Sequence, residues 1–360
     1  MPLSKVNKII EADFGKLFRF YGKYSFLIKK QEDAQRLLGL SIPRRCVYKV
    51  FKESAWQGTD IEVASIIQNI FWINGLAPRV LGLFYIEQSG HTFPVQLTEY
   101  LEEESPDMEL WRARKAKGEN ELIVKMEEVA RVNYIEFFKS EKCDEIVYNW
   151  RNWLGNKYVD FGGFQIDLEK YKARLIEKIN NVTHFGHSYE GHNASYQSIP
   201  DWKVDGKRKT DYRIKTIGLD DFNFIGKSVV DIGCNLGMML RYAKQKGAVK
   251  LTGYDFPKMI GVAKEFANFN KDFDINLNEK DLSKSSPKER ADIVFYLAMS
   301  EYLGFPKWLS EITKEVCFYE GHANEDYKKT EFELKKLFRE VLYLGNSKDR
   351  SIRPLFRCYK

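Results

Sequence analysis

The sequence predicts an α/β protein: a doubly wound, mostly parallel sheet closed by an antiparallel strand, preceded by a smaller α+β module and a helical connector. Three observations predict it. Ser228–Ile232 is a short β-branched run, too brief for a helix, and Gly233-Cys-Asn-Leu-Gly237 breaks it. Helical residues Met238–Lys246 and a stop at Gly247 follow, then a second apolar run, Val249–Tyr254, ending on Asp255. Beyond Asp255, apolar runs and helical periods keep alternating, the order that builds parallel strands with helices on both faces. At 360 residues the chain has room for two domains, and its 44% hydrophobic and 14% aromatic content implies packed cores.

Taken in order, residues 1–104 form the smaller module. Phe18–Lys29 and Arg45–Lys52 read as strands, Asp60–Asn74 as a helix, and Leu81–Glu87 and Pro94–Tyr100 as two more strands. Residues 105–193 read as the helical connector, with helices over Ala116–Ser140, Asp144–Leu154 and Asp167–Ile179. Trp150 and Trp153, three apart, suit a packed helix face. The turn THFGHSYEGHN carries His184, His187 and His192, types that can ligate a metal, but no cysteine lies near and only Glu190 could join them. No metal is expected there.

Residues 194–360 hold the large sheet. After the first two strands come a helix at Met259–Asn270, a short strand at Ile275–Leu277 running towards Asp281, and a strong strand at Ala291–Leu297. A helix at Trp308–Thr313, a strand at Val316–Glu320, a helix at Glu331–Phe338 and a strand at Glu340–Leu344 follow. Pro354–Tyr359 reads as an antiparallel edge strand.

The composition excludes several classes. A net charge of +6 permits an anionic substrate without demanding nucleic acid. No apolar run is long enough to span a membrane and the first residues carry no secretory pattern, so a cytoplasmic protein without a membrane span is expected. Five scattered cysteines, without a C-x-x-C pair, suit reduced thiols.

The glycine turn narrows the chemistry. A dinucleotide fold uses G-x-G-x-x-G to seat a pyrophosphate. Here Asp231 precedes G-x-x-x-G, which resembles motif I (D-x-G-x-G-x-G) of the class I S-adenosylmethionine (SAM) methyltransferases, with Asn235 in place of the middle glycine. The strand order over the C-terminal half resembles the same Rossmann-like family. That resemblance implies SAM as cofactor, held by Asp231, Gly233, Asn235 and Gly237, with Asp255 on the ribose hydroxyls and Asp281 near the adenine. The lead-in Tyr196-Gln197 and GKRKTDYR is similar to the segment that closes over the methionine end of SAM in such enzymes. It implies Tyr196, Gln197, Arg208 and Arg213 as partners of the SAM carboxylate, for which arginine offers a bidentate fork. A basic surface helix is the competing reading of the arginines.

The first module resembles the N-terminal lobe of protein kinases and aminoglycoside phosphotransferases, on CVYKVFK, GLAPRVLG and VQLTEYLE. That resemblance puts Lys49 at the phosphate-binding lysine and Glu62 at its helix partner. Asp160-Phe161-Gly162 spells D-F-G, yet no H-R-D or H-G-D string precedes it. A degenerate lobe serving recognition or regulation is therefore expected.

Ligands of doubly wound sheets sit at the carboxyl ends of the strands. Two candidate bases for methyl transfer stand there: His322 after Glu320, and Glu301 after Leu297. No N-P-P-Y, D-P-P-Y or Pro-Cys string speaks for a nucleobase acceptor, and Cys317 falls within a strand. A small-molecule or carbohydrate-type acceptor, methylated on oxygen, is the first expectation. RNA methylation is the alternative, as is a non-catalytic SAM-binding regulator with a pseudokinase-like lobe.

Overall fold

The computed structural model describes residues 18–22, 25–28, 46–50, 60–88, 91–102, 108–116, 120–137, 153–159, 161, 164–182, 195–349 and 351–360. The chain divides into two compact units, Met1–Ala173 and Arg174–Lys360.

In the first unit, β1 (Phe18–Gly22), β2 (Ser25–Ile28), β3 (Cys46–Val50), β4 (Val80–Gln88) and β5 (His91–Glu99) form one antiparallel sheet in the order β1-β2-β3-β5-β4. The single strand expected over Phe18–Lys29 is thus a hairpin, with Gly22 opposite Ser25 across a two-residue connection. The helix Ile61–Ile73 starts on Asp60, whose side chain accepts from the Glu62 N–H, and buries Ile66, Ile67, Ile70 and Phe71.

Among the described residues the connector is less helical than its sequence suggests; residues 144–152 of the helix expected over Asp144–Leu154 lie outside them. Helices at Met108–Ala116 and Glu121–Val132 replace the single one expected over Ala116–Ser140, and the second gives way to β6 (Ile135–Phe137). Trp153, expected on a helix, lies in β7 (Trp153–Leu154), which turns through Gly155 onto β8 (Lys157–Tyr158). β9 (Phe164–Ile166) pairs with β6. Aromatic packing overrides helical propensity here. Trp153 is fully buried, with its ring centroid 5.3 Å from that of Trp111 and 5.4 Å from that of Tyr158. The helix Leu168–Asn181 follows as expected, and the division between the units falls within it. Trp150 and the His184/His187/His192 turn lie outside the described residues.

The second unit opens with β10 (Ser195–Gln197) and β11 (Gly206–Arg208), a short parallel pair, and the helix Thr210–Ile217. The large sheet then comprises β12 (Ser228–Ile232), β13 (Lys250–Asp255), β14 (Ile275–Glu279), β15 (Ala291–Leu297), β16 (Thr313–Glu320), β17 (Glu340–Ser347) and β18 (Arg353–Tyr359). Its order is β14-β13-β12-β15-β16-β18-β17, parallel from β14 to β16. Two boundaries shift from the sequence reading. Thr313, expected to end a helix, begins β16 opposite Ala291, and the last helix runs over Tyr327–Lys335 rather than Glu331–Phe338. β18, expected at the edge, is inserted between β16 and β17, pairing antiparallel with both. Its burial explains the place: Leu355, Phe356 and Cys358 are all buried.

Strand alternation gives the sheet two apolar faces. Val229, Phe295 and Phe318 pack with Leu240, Ile260 and Ile214 on one side. Val230, Tyr296, Cys317 and Cys358 pack with Leu309 and Leu334 on the other. By the same period of two, Asp231 and Glu320 share the face of Val229 and Phe318. Strand order reverses between β12 and β15, so their carboxyl ends flank the switch point. Among the described residues no helix is long and apolar enough to cross a membrane.

The β10–β11 pair depends on one glycine. A Cβ at Gly206 would stand 2.2 Å from the Ser198 nitrogen and 2.3 Å from the Gln197 carbonyl carbon. Gly206→Ala is expected to destabilise the second unit by about 1–3 kcal/mol, read as a lowered urea midpoint; an unchanged midpoint would show that the pair can move apart freely.

Candidate active site

The turn after β12 is held by two backbone hydrogen bonds and by the Asp255 carboxylate. The N–H groups of Gly233 and Cys234 both donate to the Tyr254 carbonyl, at 2.9 and 3.0 Å. Gly233 has φ +71°, and a Cβ there would meet Met299 Sδ at 2.2 Å. Gly237, at φ +77°, caps the helix Met238–Gln245. Between them Asn235 has φ +52°. Asparagine is the residue that best tolerates the left-handed region after glycine itself. Asn235 also donates its N–H to Asp255 Oδ2 at 2.8 Å, while Asp255 Oδ1 accepts from the Phe256 N–H at 2.8 Å. Each carboxylate oxygen thus keeps acceptor capacity for a further donor. Burial pushes the Asp255 pKa up, and the two backbone N–H groups oppose it.

A buried charge cluster stands beside this turn. Glu320, the last residue of β16, is fully buried; its Oε1 accepts from Arg208 Nη2 at 2.6 Å, and its Oε2 from Arg213 Nη2. Arg208 also donates Nε–H to Asp349 Oδ2 at 2.8 Å. Burial alone would raise the Glu320 pKa, but Arg213 and Arg208 outweigh it and hold the carboxylate ionised. Arg353, at the start of β18, has its pKa lowered by burial and by the neighbouring Arg208 charge. Three buried polar atoms of the cluster have no protein partner among the described residues: Gln197 Oε1, Arg208 Nη1 and Arg213 Nε. Gln197 lies opposite Arg208 in the β10–β11 register. Asp231, 3% exposed, takes no hydrogen bond from the described residues; burial pushes its pKa up to about 7, with Arg213 opposing and Asp255 adding to the rise.

His322 and Glu301, sequence candidates for the same role, meet: His322 Nε2 is 2.5 Å from Glu301 Oε2. Glu325 fastens the segments that carry them. Its carboxylate accepts from Ser300 Oγ at 2.6 Å, the His322 N–H at 2.8 Å, Tyr319 Oη at 2.6 Å and Thr330 Oγ1 at 2.5 Å.

Other expected residues have different surroundings. The Asp281 carboxylate accepts from the Ser283 N–H and Oγ, at 3.1 and 2.6 Å, and pairs with Lys284, all local partners. Tyr196 lies in β10 with its side chain half-buried. In the first unit, Lys49 Nζ donates to the Val159 carbonyl and Glu62 sits in the first helical turn. Among the described residues no group of three His, Cys, Asp or Glu could hold a metal. Sequence reasoning noted Glu320 at a strand end without giving it a role, and missed Glu325, Asp349 and Arg353. For Glu320 a signal existed: a carboxylate ending an apolar strand, as at Asp255.

No family model matches the chain, and no curated protein matches it. Among solved structures it is similar to the bifunctional kinase-methyltransferase WbdD, at 20% identity over 45% of this chain and 43% of that one, with a TM-score of 0.39. Magnesium protoporphyrin IX methyltransferase (ChlM) from Synechocystis PCC 6803 with bound SAH matches at 15% identity over 42% of this chain and 81% of that one, TM-score 0.33. Ribosomal protein L11 methylase from Lactobacillus delbrueckii subsp. bulgaricus matches at 16% over 49% and 91%, TM-score 0.37. The chain spans less than half the length of the WbdD chain it matches. Likenesses this distant fix no activity, so the functional reading comes from the side chains.

The glycine turn yields its own test. Asn235→Gly should leave stability nearly unchanged, whereas Asn235→Ala should lose about 1–2 kcal/mol in urea denaturation, because alanine gains nothing from the left-handed backbone. Equal losses in both variants would show that the Asn235 side chain, not its φ, matters.

Proposed function

We propose that the second unit is a SAM-dependent methyltransferase. The observation that carries this is that Gln197 Oε1, Arg208 Nη1 and Arg213 Nε, buried at the carboxyl end of the sheet, have no partner among the described residues. Arg208 Nη1 and Arg213 Nε are donors suited to a carboxylate, while Gln197 Oε1 and the Asp231 carboxylate are acceptors suited to an ammonium. A zwitterionic amino-acid end satisfies both sets at once. Asp255, one turn away, has acceptor capacity for ribose hydroxyls, and the Gly233–Gly237 turn presents backbone rather than side chains to a ligand. A ligand joining an amino acid to a nucleoside is the simplest that uses every feature, and SAM is that ligand. Asp281 keeps its proposed place near the adenine.

When bound, SAM supplies an electrophilic methyl group. The chain's own task is to align an acceptor and take its proton. His322, whose pKa is lowered by burial and by Arg353 against the pull of Glu301, is neutral at neutral pH and able to accept one. That favours a hydroxyl acceptor on a small molecule or carbohydrate.

Calorimetry tests the cofactor. Asp255→Ala should weaken SAM at least about tenfold, since hydrogen bonds to a charged acceptor are worth about 1.5–3 kcal/mol each. Asp231 must be ionised to meet an ammonium, and its unliganded pKa of about 7 makes a proton the competitor. SAM affinity should therefore be full above that pH and fall by about tenfold per pH unit below it. In Asp231→Asn the affinity should be lower and this pH dependence flattened. Unchanged SAM binding in both variants would overturn the site.

A second reading attaches to the first unit. Lys49 Nζ donates to the carbonyl of Val159, the residue that precedes Asp160-Phe161-Gly162 in sequence. In sequence, Asp144 and Asn149 keep the D-x-x-x-x-N spacing of a phosphotransferase catalytic loop, without the preceding His. Asp144, Asn149 and Asp160 lie outside the described residues. The missing H-R-D keeps recognition or regulation as the proposed role of the first unit. No Mg-dependent ATP turnover is the expected outcome; turnover lost in Lys49→Ala would revive phosphoryl transfer.

A further inference from the structure

The loop that carries His322 is laid against the start of β18. Gly321 donates its N–H to the Pro354 carbonyl and Asn324 donates its own to the Ile352 carbonyl, both at 2.8 Å. These two bonds bracket His322 on one segment and Arg353 on the other. The approach is close, since a Cβ on Gly321 would stand 2.7 Å from the Pro354 ring. On its other flank the loop is held by the bend after β15. Ala298 adopts φ +62°, rare for a residue with a Cβ, and donates its N–H to the Glu320 carbonyl at 2.7 Å. Glu325 accepts from Ser300 Oγ and from the His322 N–H.

Arg353 is 9% exposed, and a cation buried to that degree normally sits against a carboxylate. Among the described residues it has no ion pair. Its hydrogen bonds go to neutral oxygens, Nε–H to Ser351 Oγ at 3.0 Å and Nη1–H to the Gly321 carbonyl at 3.4 Å. Both hydrogens of Nη2 are left over. Unlike Arg208 Nη1 and Arg213 Nε, Nη2 is not sealed from solvent, so a ligand can reach it. The nearby carboxylates are committed elsewhere. Glu320 serves Arg208 and Arg213, Asp349 serves Arg208, and Glu325 takes four neutral donors. The charges of Arg208 and Arg213 act against that of Arg353, while Glu320 attracts it without touching it.

We propose that Arg353 is the residue that selects the methyl acceptor: it binds an anionic oxygen group on that molecule, a carboxylate or a phosphate, and seats the acceptor beside His322. A guanidinium takes such groups through paired N–H donors, and an anion there supplies the countercharge that the described residues do not. In the proposed cleft the SAM carboxylate takes Arg208 Nη1 and Arg213 Nε, which leaves Arg353 for the acceptor. Its charge already reaches the His322 ring. The anionic group is a handle and takes no part in the chemistry. The acceptor O–H bond breaks, its proton goes to His322, the oxygen bonds the methyl carbon, and the electron pair of the S–CH3 bond stays on sulfur. The choice of acceptor rests on the methyl-transfer reading; the anion site does not.

Two measurements separate the two. The first is arginine side-chain NMR of the full chain, with and without S-adenosylhomocysteine, titrated with inorganic phosphate and separately with acetate. The Arg353 signal, identified by its loss in Arg353→Gln, should shift saturably with at least one anion. The second is transfer of labelled methyl from SAM into a fractionated cell extract. The acceptor should be retained by an anion-exchange resin. Its loss on treatment with alkaline phosphatase would mark a phosphate, and its loss on carbodiimide amidation a carboxylate. Arg353→Gln should raise the KM for that acceptor by about 10–10²-fold with the KM for SAM nearly unchanged. Arg353→Lys, which keeps the charge without the planar fork, should recover part of the loss; if Arg353→Gln fails to fold, the lysine variant carries the test with a smaller rise. An Arg353 signal that moves with neither anion, or an acceptor that survives both treatments, would overturn the proposal. A raised KM for SAM with an unchanged KM for the acceptor would do so too, placing Arg353 on the SAM carboxylate. Anion binding at Arg353 in a protein that binds no SAM would overturn methyl transfer and leave the anion site standing.

Discussion

The second unit is organised around one buried carboxylate. Glu320 ends β16 with no exposure to solvent and is shared by Arg208 and Arg213, which arrive from the segment before the sheet. Removing one partner of such a group costs about 3–5 kcal/mol, because a charge is left buried without compensation. The constraint runs in both directions. Glu320 can end an apolar strand only because two guanidiniums meet it, and the lead-in from β10 to the helix Thr210–Ile217 is fastened at the mouth of the sheet because Glu320 is there. Asp349 adds a second anchor on Arg208, from the connection between β17 and β18. The ion cluster thereby ties the lead-in to both the parallel and the antiparallel parts of the sheet.

Polar groups left over from that network give the cleft its character. A fully satisfied cluster would be structural and nothing more. Here the two arginines each keep one donor atom without a partner among the described residues, and Gln197 keeps its carbonyl oxygen. Buried unsatisfied groups are costly, and their place near a glycine turn and two raised carboxylate pKa values supports the proposed ligand site. Burial pushes the Asp231 pKa up to about 7, leaving it close to half-neutral at pH 7, and is also the largest cause of the raised Asp255 pKa. A cationic partner at Asp231 removes the reason for that neutrality.

Much of this was legible in the sequence. The Ser228–Asp255 unit follows from a β-branched run, a glycine break and a returning strand, and each signal is local. Asn235 was readable as a departure from the glycine pattern; only its φ shows why the departure is harmless. The pairing of His322 with Glu301 was not legible, because it depends on the Ala298 bend and on Glu325, neither of which leaves a periodic trace. The connector was misread for a different reason. The turn signal Gly155-Asn156 within WLGNKY was passed over in favour of a helix, and the hairpin is fixed by burial of Trp153 and Tyr158 among Trp111, Phe161 and Phe164. Placing β18 inside the sheet required long-range pairing that no local pattern encodes.

Glu325 also has a dynamic consequence. Its carboxylate collects donors from the Ser300 helix, the β16 strand, the loop of His322 and the following helix, so none of these can move away alone without giving up a charge-assisted hydrogen bond. The floor of the cleft therefore opens as a single cooperative unit rather than by fraying at one loop. The His322 amide, though near the surface, should exchange its hydrogen with solvent at the pace of that whole unit. Fluctuations that admit an acceptor must then arise elsewhere, on the side of the lead-in and the glycine turn.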